Sequence, residues 1–434
     1  MKTLIISNLY PPYYHGGYEV RCSEVAKAML KDGHEVRVLT TMHGLPLGSF
    51  GEGKRRTEVM DGVRVDRCLY NYAFGPVPNH RPWTLFQAKR ELSDAREFVR
   101  TLREFKPDIV NWWNMNGVSK ILLPLPRSFN IPDVHWIEYP WMIDEYGASG
   151  EKASPFWVNL WDGTWGPKMY RFFFRWIGRH LEQRMRNEGL PTRQFPNRPS
   201  HVCFVSDYLR TLYREAGLDF SSSEVIYGGV SAEKFYSPVQ RMRDASQSLR
   251  VLWAGQVTVD RGLHTAVEAI GLMPRKLRSK TTLSVAGYDP GEYFDRVKTR
   301  VSELGLTKQV VFLGKVSHIK MPEVYKQHDV LVFLSTREEG LPLVMAEAML
   351  AGCAVVTTGS GGAIEVAHLA NLPLIAKGDP SALSQVLSQL AERPEELIAI
   401  AERGQKAALQ DLTLDRMMER LQATLARVKN SHRT

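Results

Sequence analysis

The segment Ser335 to Glu365 constrains this chain more than any other. It opens at the end of an apolar run, Val330 to Leu334, that reads as a buried strand. Gly340 and Pro342 then break the chain into a tight loop. From Leu343 to Leu350 the pattern is helical, and Gly352 stops it. Val355 and Val356 begin a further strand, which runs into a second loop at Gly359, Gly361 and Gly362. Two acids frame the first loop: Glu339 lies in it, and Glu347 follows eight positions later on the helix.

A helix start carries unpaired N–H groups and a partial positive charge of roughly half a unit, and phosphates settle there. Gly340, Leu341 and Pro342 lead into such a start, and the N–H groups around Leu343 and Val344 are placed to hold a diphosphate. Glu347 lies about one helical turn further in. A carboxylate there suits two neighbouring hydroxyls, as on a ribose. Glu339, on the loop, is in reach of a sugar hanging from the phosphates. The segment therefore reads as a site for a sugar nucleotide. An amphipathic helix with two solvated glutamates explains the pair alone, but less well once the rest of the chain is considered.

E-x7-E followed by E-A-M-x-x-G resembles the signature of the retaining GT-B glycosyltransferases of family 4. The resemblance implies an α/β chain with two Rossmann-like, doubly wound domains facing each other across a cleft. It implies transfer of a sugar, with retention, from a nucleotide-sugar donor, most often a UDP sugar, to a hydroxyl of a glycan or lipid-linked acceptor. It implies neither a metal nor any other cofactor, because cationic side chains replace the metal; the chain has no D-x-D motif.

At 434 residues the chain exceeds what one core usually supports, so two domains are expected. The expected division is residues 1–236 on the acceptor side and 249–413 on the donor side. A final helix over about 414–434 is expected to pack back on the first domain, as such helices often do in this fold, and the polar run Ser237 to Ser248 serves as linker. Cys22, Cys68, Cys203 and Cys353 are scattered without C-x-x-C spacing, which argues against a zinc site or a disulfide framework. They fit a reducing cytoplasm. No apolar run approaches the ~20 residues of a membrane span. The net charge of +9 favours acidic partners: a nucleotide, an anionic membrane or a nucleic acid.

Near the start, a strand from Leu4 to Leu9, a loop holding Pro11, Pro12, Gly16 and Gly17, a helix from Glu19 to Lys31 and a strand from Glu35 to Leu39 make a β-α-β unit. By the resemblance, Gly16 and Gly17 sit against the diphosphate. The run His135-Trp136-Ile137-Glu138 ends another strand, and the resemblance places either His135 or Glu138 against the donor sugar and acceptor. A structural role for both, inside an aromatic cluster, is the alternative. After the strand Leu249 to Ala254, the family usually has an arginine and a lysine directed at the diphosphate. Here Gln256 and Arg261 stand at that spacing, one cation fewer. Arg261 keeps a charged fork that can grip two oxygens. Val316 falls where relatives meet the nucleobase.

Trp141 to Trp176 is the least typical stretch, and Trp141 to Arg198 is the candidate surface for an anionic membrane. It is rich in Trp and Phe, and from Lys168 to Arg198 it sets eight Lys and Arg against two glutamates. A core helix with a basic outer face explains it. So does the headgroup level of an anionic membrane, with the protein cytoplasmic and peripheral on the inner face. No nucleic-acid motif is present. Other functions compatible with the chain are a weakly active or inactive membrane-associated nucleotide-sugar-binding relative, suggested by Gln256, and a nucleotide-sugar epimerase. A nicotinamide dehydrogenase rests only on Gly359-Ser360-Gly361-Gly362, which departs from G-x-G-x-x-G.

Overall fold

The computed structural model describes residues 1–14, 16–45, 55–70, 84–146, 171–190, 199–239 and 248–433. Most of the polar run at 240–247, and residues 147–170 and 191–198 of the aromatic, basic stretch, lie outside the described residues. The chain divides into two compact units. The first comprises Met1–Val205, Leu209–Val225 and Arg420–Thr434, and the second Ser206–Tyr208 and Ile226–Glu419.

The first unit is built on eight strands: β1 (Lys2–Ser7), β2 (Glu35–Thr41), β3 (Arg56–Met60), β4 (Val63–Leu69), β5 (Ile109–Trp112), β6 (Asp133–Ile137), β7 (His201–Phe204) and β8 (Ser223–Val225). Their order is β3-β4-β2-β1-β5-β6-β7-β8, parallel throughout except for the antiparallel β3–β4 pair. Leu4, Ile5 and Ile6 are all fully buried, as expected of a parallel strand covered on both faces. β3 is not evident in the hydrophobic pattern, because none of its residues is buried. A two-residue turn makes it: Asp61 and Gly62 both have positive φ, 48° and 82°, the geometry that joins a tight hairpin.

The second unit holds β9 (Leu249–Ala254), β10 (Thr281–Ala286), β11 (Val310–Gly314), β12 (Val330–Phe333) and β13 (Ala354–Thr357), all parallel, in the order β11-β10-β9-β12-β13. Helices intervene between the strands, and their apolar faces join a single buried cluster with the sheet. Both units are thus doubly wound α/β domains. In each, the first strand is central and the chain winds outward, then returns to build the other half. The winding direction reverses between β1 and β5 in the first unit and between β9 and β12 in the second. Open parallel sheets bind ligands beyond the strands' carboxyl ends at that reversal.

The final helix, Leu414–Arg433, is capped by Thr413, whose Oγ1 accepts from the Arg416 N–H at 3.3 Å. Its last turns belong to the first unit, where Lys429 pairs with Asp108 at 3.0 Å and Thr424 Oγ1 donates to Glu224 at 2.7 Å. The four cysteines are buried and unpaired. Among the described residues, no helix is long and apolar enough to cross a membrane.

Candidate functional site

The reversal point of the second unit brings two loops together. The loop after β9 carries exposed Gln256 and a short 3-10 turn, Val259–Arg261. Trp253 Nε1 holds that turn by donating to the Arg261 carbonyl at 3.1 Å. The loop after β12 is tied to it through the Thr336 N–H, which donates to the Asp260 carbonyl at 2.8 Å. Across this junction Arg261 Nη1 meets Glu339 Oε1 at 2.6 Å, with side-chain exposures of 21% and 17%. Arg261 Nε is buried with no hydrogen-bond partner among the described residues. Burial pushes the Glu339 carboxyl above its ordinary value, against the opposing pull of Arg261, Arg337 and the Ser335 hydroxyl.

Glycines fix the Glu339 loop from behind. The Gly362 N–H donates to the Glu339 carbonyl at 2.7 Å, and Glu339 bridges to Gly361 as parallel strands do. A Cβ at Gly361 would overlap the Glu339 backbone, and one at Gly362 would overlap the Gly340 carbonyl. These glycines admit a close backbone approach, which accounts for the Gly-rich run after β13 without a dinucleotide fold.

Beyond that loop, half-buried Gly340 and Leu341 and buried Pro342 lead into the helix Leu343–Leu350. Pro342 stands at its N-cap, and no side chain caps it. The Met345 N–H returns to the Pro342 carbonyl at 3.2 Å. The N–H groups of Leu343 and Val344 precede any intrahelical acceptor, and the first turn has no acidic residue. This end of the helix is open to an anion.

Glu347 lies one turn inward and is only 7% exposed. Both its oxygens are already engaged. Tyr325 Oη donates to Oε2 at 2.8 Å, and His318 Nε2 lies 2.9 Å from Oε1. Sequence reading missed both partners, which come from segments some twenty to thirty positions earlier with no motif linking them. Each carboxylate oxygen has a second lone pair, so Glu347 retains acceptor capacity. Val316 packs partly buried against the core of the same unit.

The reversal point of the first unit is more enclosed. The Asn8 N–H, just past β1, donates to the Asn114 carbonyl at 2.7 Å. Gly16 and Gly17 are exposed at the start of the helix Gly17–Lys31. That start is served by Glu19, whose Oε2 accepts from the Gly16 N–H at 3.1 Å while its Oε1 accepts from Asn114 at 3.1 Å. One turn further, Arg21 pairs with Glu138 at 2.9 Å, with both side chains nearly inaccessible. Trp136 Nε1 donates to the same Glu138 oxygen at 2.6 Å. Burial pushes the Glu138 carboxyl up to about 7, with Arg21 and Trp136 holding it down and Glu19 adding to the rise.

His135 and Glu138 are placed differently. His135 is wholly buried within β6, with Nε2 2.9 Å from Asp133 and its ring against Trp112 and Trp141. Glu138 stands just past the strand's carboxyl end.

Elsewhere in the first unit, the helix Arg171–Asn187 turns a mixed face outward. Phe172 is 84% exposed, and Phe173, Trp176, Arg175 and Arg179 are exposed with it. Ile177 and Met185 anchor the opposite face.

One metal-type group occurs among the described residues, His201, Cys203 and Glu224, with ligand atoms within 4.8 Å of one another. Glu224 Oε1 already accepts from Thr424 and Arg427 and lies 2.9 Å from His201 Nε2. Burial pushes the Cys203 thiol well above its ordinary value, away from the thiolate a metal needs. The group is a protein-internal ion-pair network.

Comparison with known proteins finds similar chains over nearly the whole length. Residues 15–234 match the profile described as Glycosyltransferase Family 4, and residues 242–407 match Glycosyl transferases group 1. An uncharacterised glycosyltransferase of Methanocaldococcus jannaschii is 25% identical over 384 residues, covering 84% of this chain and 82% of its own. The glycogen synthase of Mycobacterium tuberculosis is 23% identical over 422 residues, covering 96% and 91%. The crystal structure of Anabaena HepE in complex with UDP superposes with a TM-score of 0.67 at 19% identity, covering 98% of this chain and 100% of that one.

Proposed function

The chain belongs to glycosyltransferase family 4 and has the GT-B type of fold, and on that premise we propose that its second unit holds a nucleoside-diphosphate sugar, a UDP sugar first among candidates, and transfers the sugar with retention to a hydroxyl. The observation that carries this is the Arg261–Glu339 pair at the reversal of the sheet, beside an uncapped helix start. An anion, a cation and a sugar-facing acid are served within one loop cluster. The UDP found with the Anabaena protein supports that nucleotide.

The diphosphate rests on the Leu343 and Val344 amides, and Glu347 takes the ribose hydroxyls. As the bond from the anomeric carbon to the diphosphate oxygen breaks, its electron pair stays with the diphosphate. Arg261 and the helix start stabilise that growing charge. Glu339 orients the sugar and steadies positive charge at the ring. The acceptor hydroxyl forms the new C–O bond on the face the diphosphate left, and its proton passes to an oxygen of the departing diphosphate. Gln256 supplies no charge here. Arg337, exposed on the same loop and close enough to lower the Glu339 carboxyl's value, is a candidate replacement cation. Gly16, Gly17 and Glu138 lie at the reversal of the first unit's sheet, where Arg21 and Trp136 already engage the Glu138 carboxylate. Val316 meets the nucleobase. Neither a metal nor another cofactor enters this scheme.

The acceptor is a glycan or a lipid-linked glycan, and the outward face of the Arg171–Asn187 helix favours the second. Exposed aromatic rings flanked by arginines, on a chain of net charge +9, complement an anionic bilayer at headgroup depth. Flotation with anionic vesicles at low salt tests this. Binding lost on Phe172→Ser with Trp176→Ser supports it, and no binding at low salt removes it.

The donor is tested by thermal-shift screening of nucleotide sugars, followed by NMR of the products formed with donor alone and with candidate acceptors. A UDP sugar that stabilises the protein and releases UDP fits the proposal. Conversion of the donor to an epimer without UDP release would replace transfer by epimerisation. Stabilisation with no turnover under any condition would leave a binding protein.

A further inference from the structure

Glu347 is reached from two sides of unlike character. Tyr325 is fully buried in the helix Met321–Lys326, and burial together with Glu347 pushes its phenol well above its ordinary value. It remains a proton donor to Oε2 and cannot leave. His318 comes from the solvent side, on the short turn His318–Lys320 just after β11, and its side chain is 42% exposed. Its ring leans on Phe235, with centroids 5.4 Å apart, and Phe235 in turn lies 6.1 Å from Tyr325. The two rings that Phe235 packs beside are thus the two partners of one carboxylate.

A carboxylate side chain held at one oxygen alone can still rotate. Held at both, its remaining lone pairs point in fixed directions, and a vicinal diol needs both of them aimed. We propose that His318 is the positioning residue for Glu347, aiming its free lone pairs at the 2′- and 3′-hydroxyls of the donor's ribose, and so setting the preference for a ribonucleotide over its deoxy counterpart. This rests on the assignment of Glu347 to the ribose. Tyr325 fixes one oxygen from the core, and His318 fixes the other at the site's edge. A half-exposed imidazole also yields space to a ligand at less cost than a core side chain would.

Calorimetric titration with UDP and with 2′-deoxy-UDP tests the proposal, with ADP and GDP and their deoxy forms run in parallel. Wild type is expected to bind the ribonucleotide about tenfold more tightly than the deoxy form, the loss of one hydrogen bond to a charged group. In His318→Ala that ratio falls toward one, and in His318→Gln, whose amide can still donate to Oε1, it returns toward the wild-type value. A ratio near tenfold in wild type that persists unchanged in His318→Ala overturns the role of His318 while leaving Glu347 on the ribose. A ratio near one in wild type overturns the ribose assignment itself, as does failure of all three ribonucleotides to bind. A general loss of affinity in His318→Ala with the ratio intact would mark His318 as merely structural.

Discussion

The two units share a winding pattern, outward from a central first strand and back to the other side, and differ in what they place at its reversal. In the first, Glu19, Asn114, Arg21, Trp136 and Glu138 pair in a network nearly closed to solvent, although Arg21 Nε, like Arg261 Nε, is buried without a partner among the described residues. In the second, Arg261 and Glu339 pair at the edge of solvent, Arg261 Nε lacks a partner among the described residues, and the Leu343 helix has no side-chain cap. One winding pattern thus yields both a helix start served by its own glutamate beside an enclosed ion pair and an uncapped helix start beside a more exposed one. The difference lies in a few residues at the loops, not in the sheets.

The comparison breaks first at Arg261. Arg261→Ala removes the cation that the proposed function sets against the departing diphosphate, and is expected to lower turnover of the donor by about 10²–10³-fold. Glu339→Ala also lowers turnover more than binding. Steady-state rates of UDP release measure both, and near-wild-type rates in both variants would make the second unit's pair as structural as the first unit's.

In the first unit the corresponding loss is stability. Arg21→Met strands a buried carboxylate and is expected to cost about 3 kcal/mol at pH 8, read from urea denaturation. The cost shrinks toward pH 5, where Glu138 takes up a proton. In the intact protein Glu138 has a folded value near 7, above that of the unfolded chain. The native state therefore binds the extra proton between those values. The Glu138 contribution is fully present below the unfolded value and is lost as pH rises through about 7. Glu138→Gln should flatten that part of the stability profile, and an unchanged profile would place Glu138 in a wetter setting.

Smaller effects sharpen the contrast. Glu347→Ala is expected to weaken UDP binding about tenfold by titration calorimetry, and to cost about 1–3 kcal/mol of fold stability because the buried Tyr325 hydroxyl loses its acceptor. Gln256→Arg should leave donor affinity equal or raise it a few-fold. A clear loss would mean that the glutamine has a partner of its own.

The strands were legible because parallel, doubly covered strands are continuous apolar runs. Leu249–Ala254 and the helix Leu343–Leu350 fall where the pattern placed them. β3 was not legible, since its residues alternate charge with a single exposed valine and the Asp61–Gly62 turn alone defines it. The loop acids were legible from their spacing against glycine and proline. Their partners were not. Arg21 meets Glu138 across 117 positions, and His318 meets Glu347 across 29, distances over which only the fold sets neighbours. The choice between His135 and Glu138 turns on strand register, where one residue inward is core and one outward is loop.

The most direct measurement is a crystal structure of the protein with UDP. The account places diphosphate oxygens about 3 Å from the Leu343 and Val344 amides, with the ribose hydroxyls on Glu347. UDP bound elsewhere, with those amides and Glu347 untouched by it, would contradict the account.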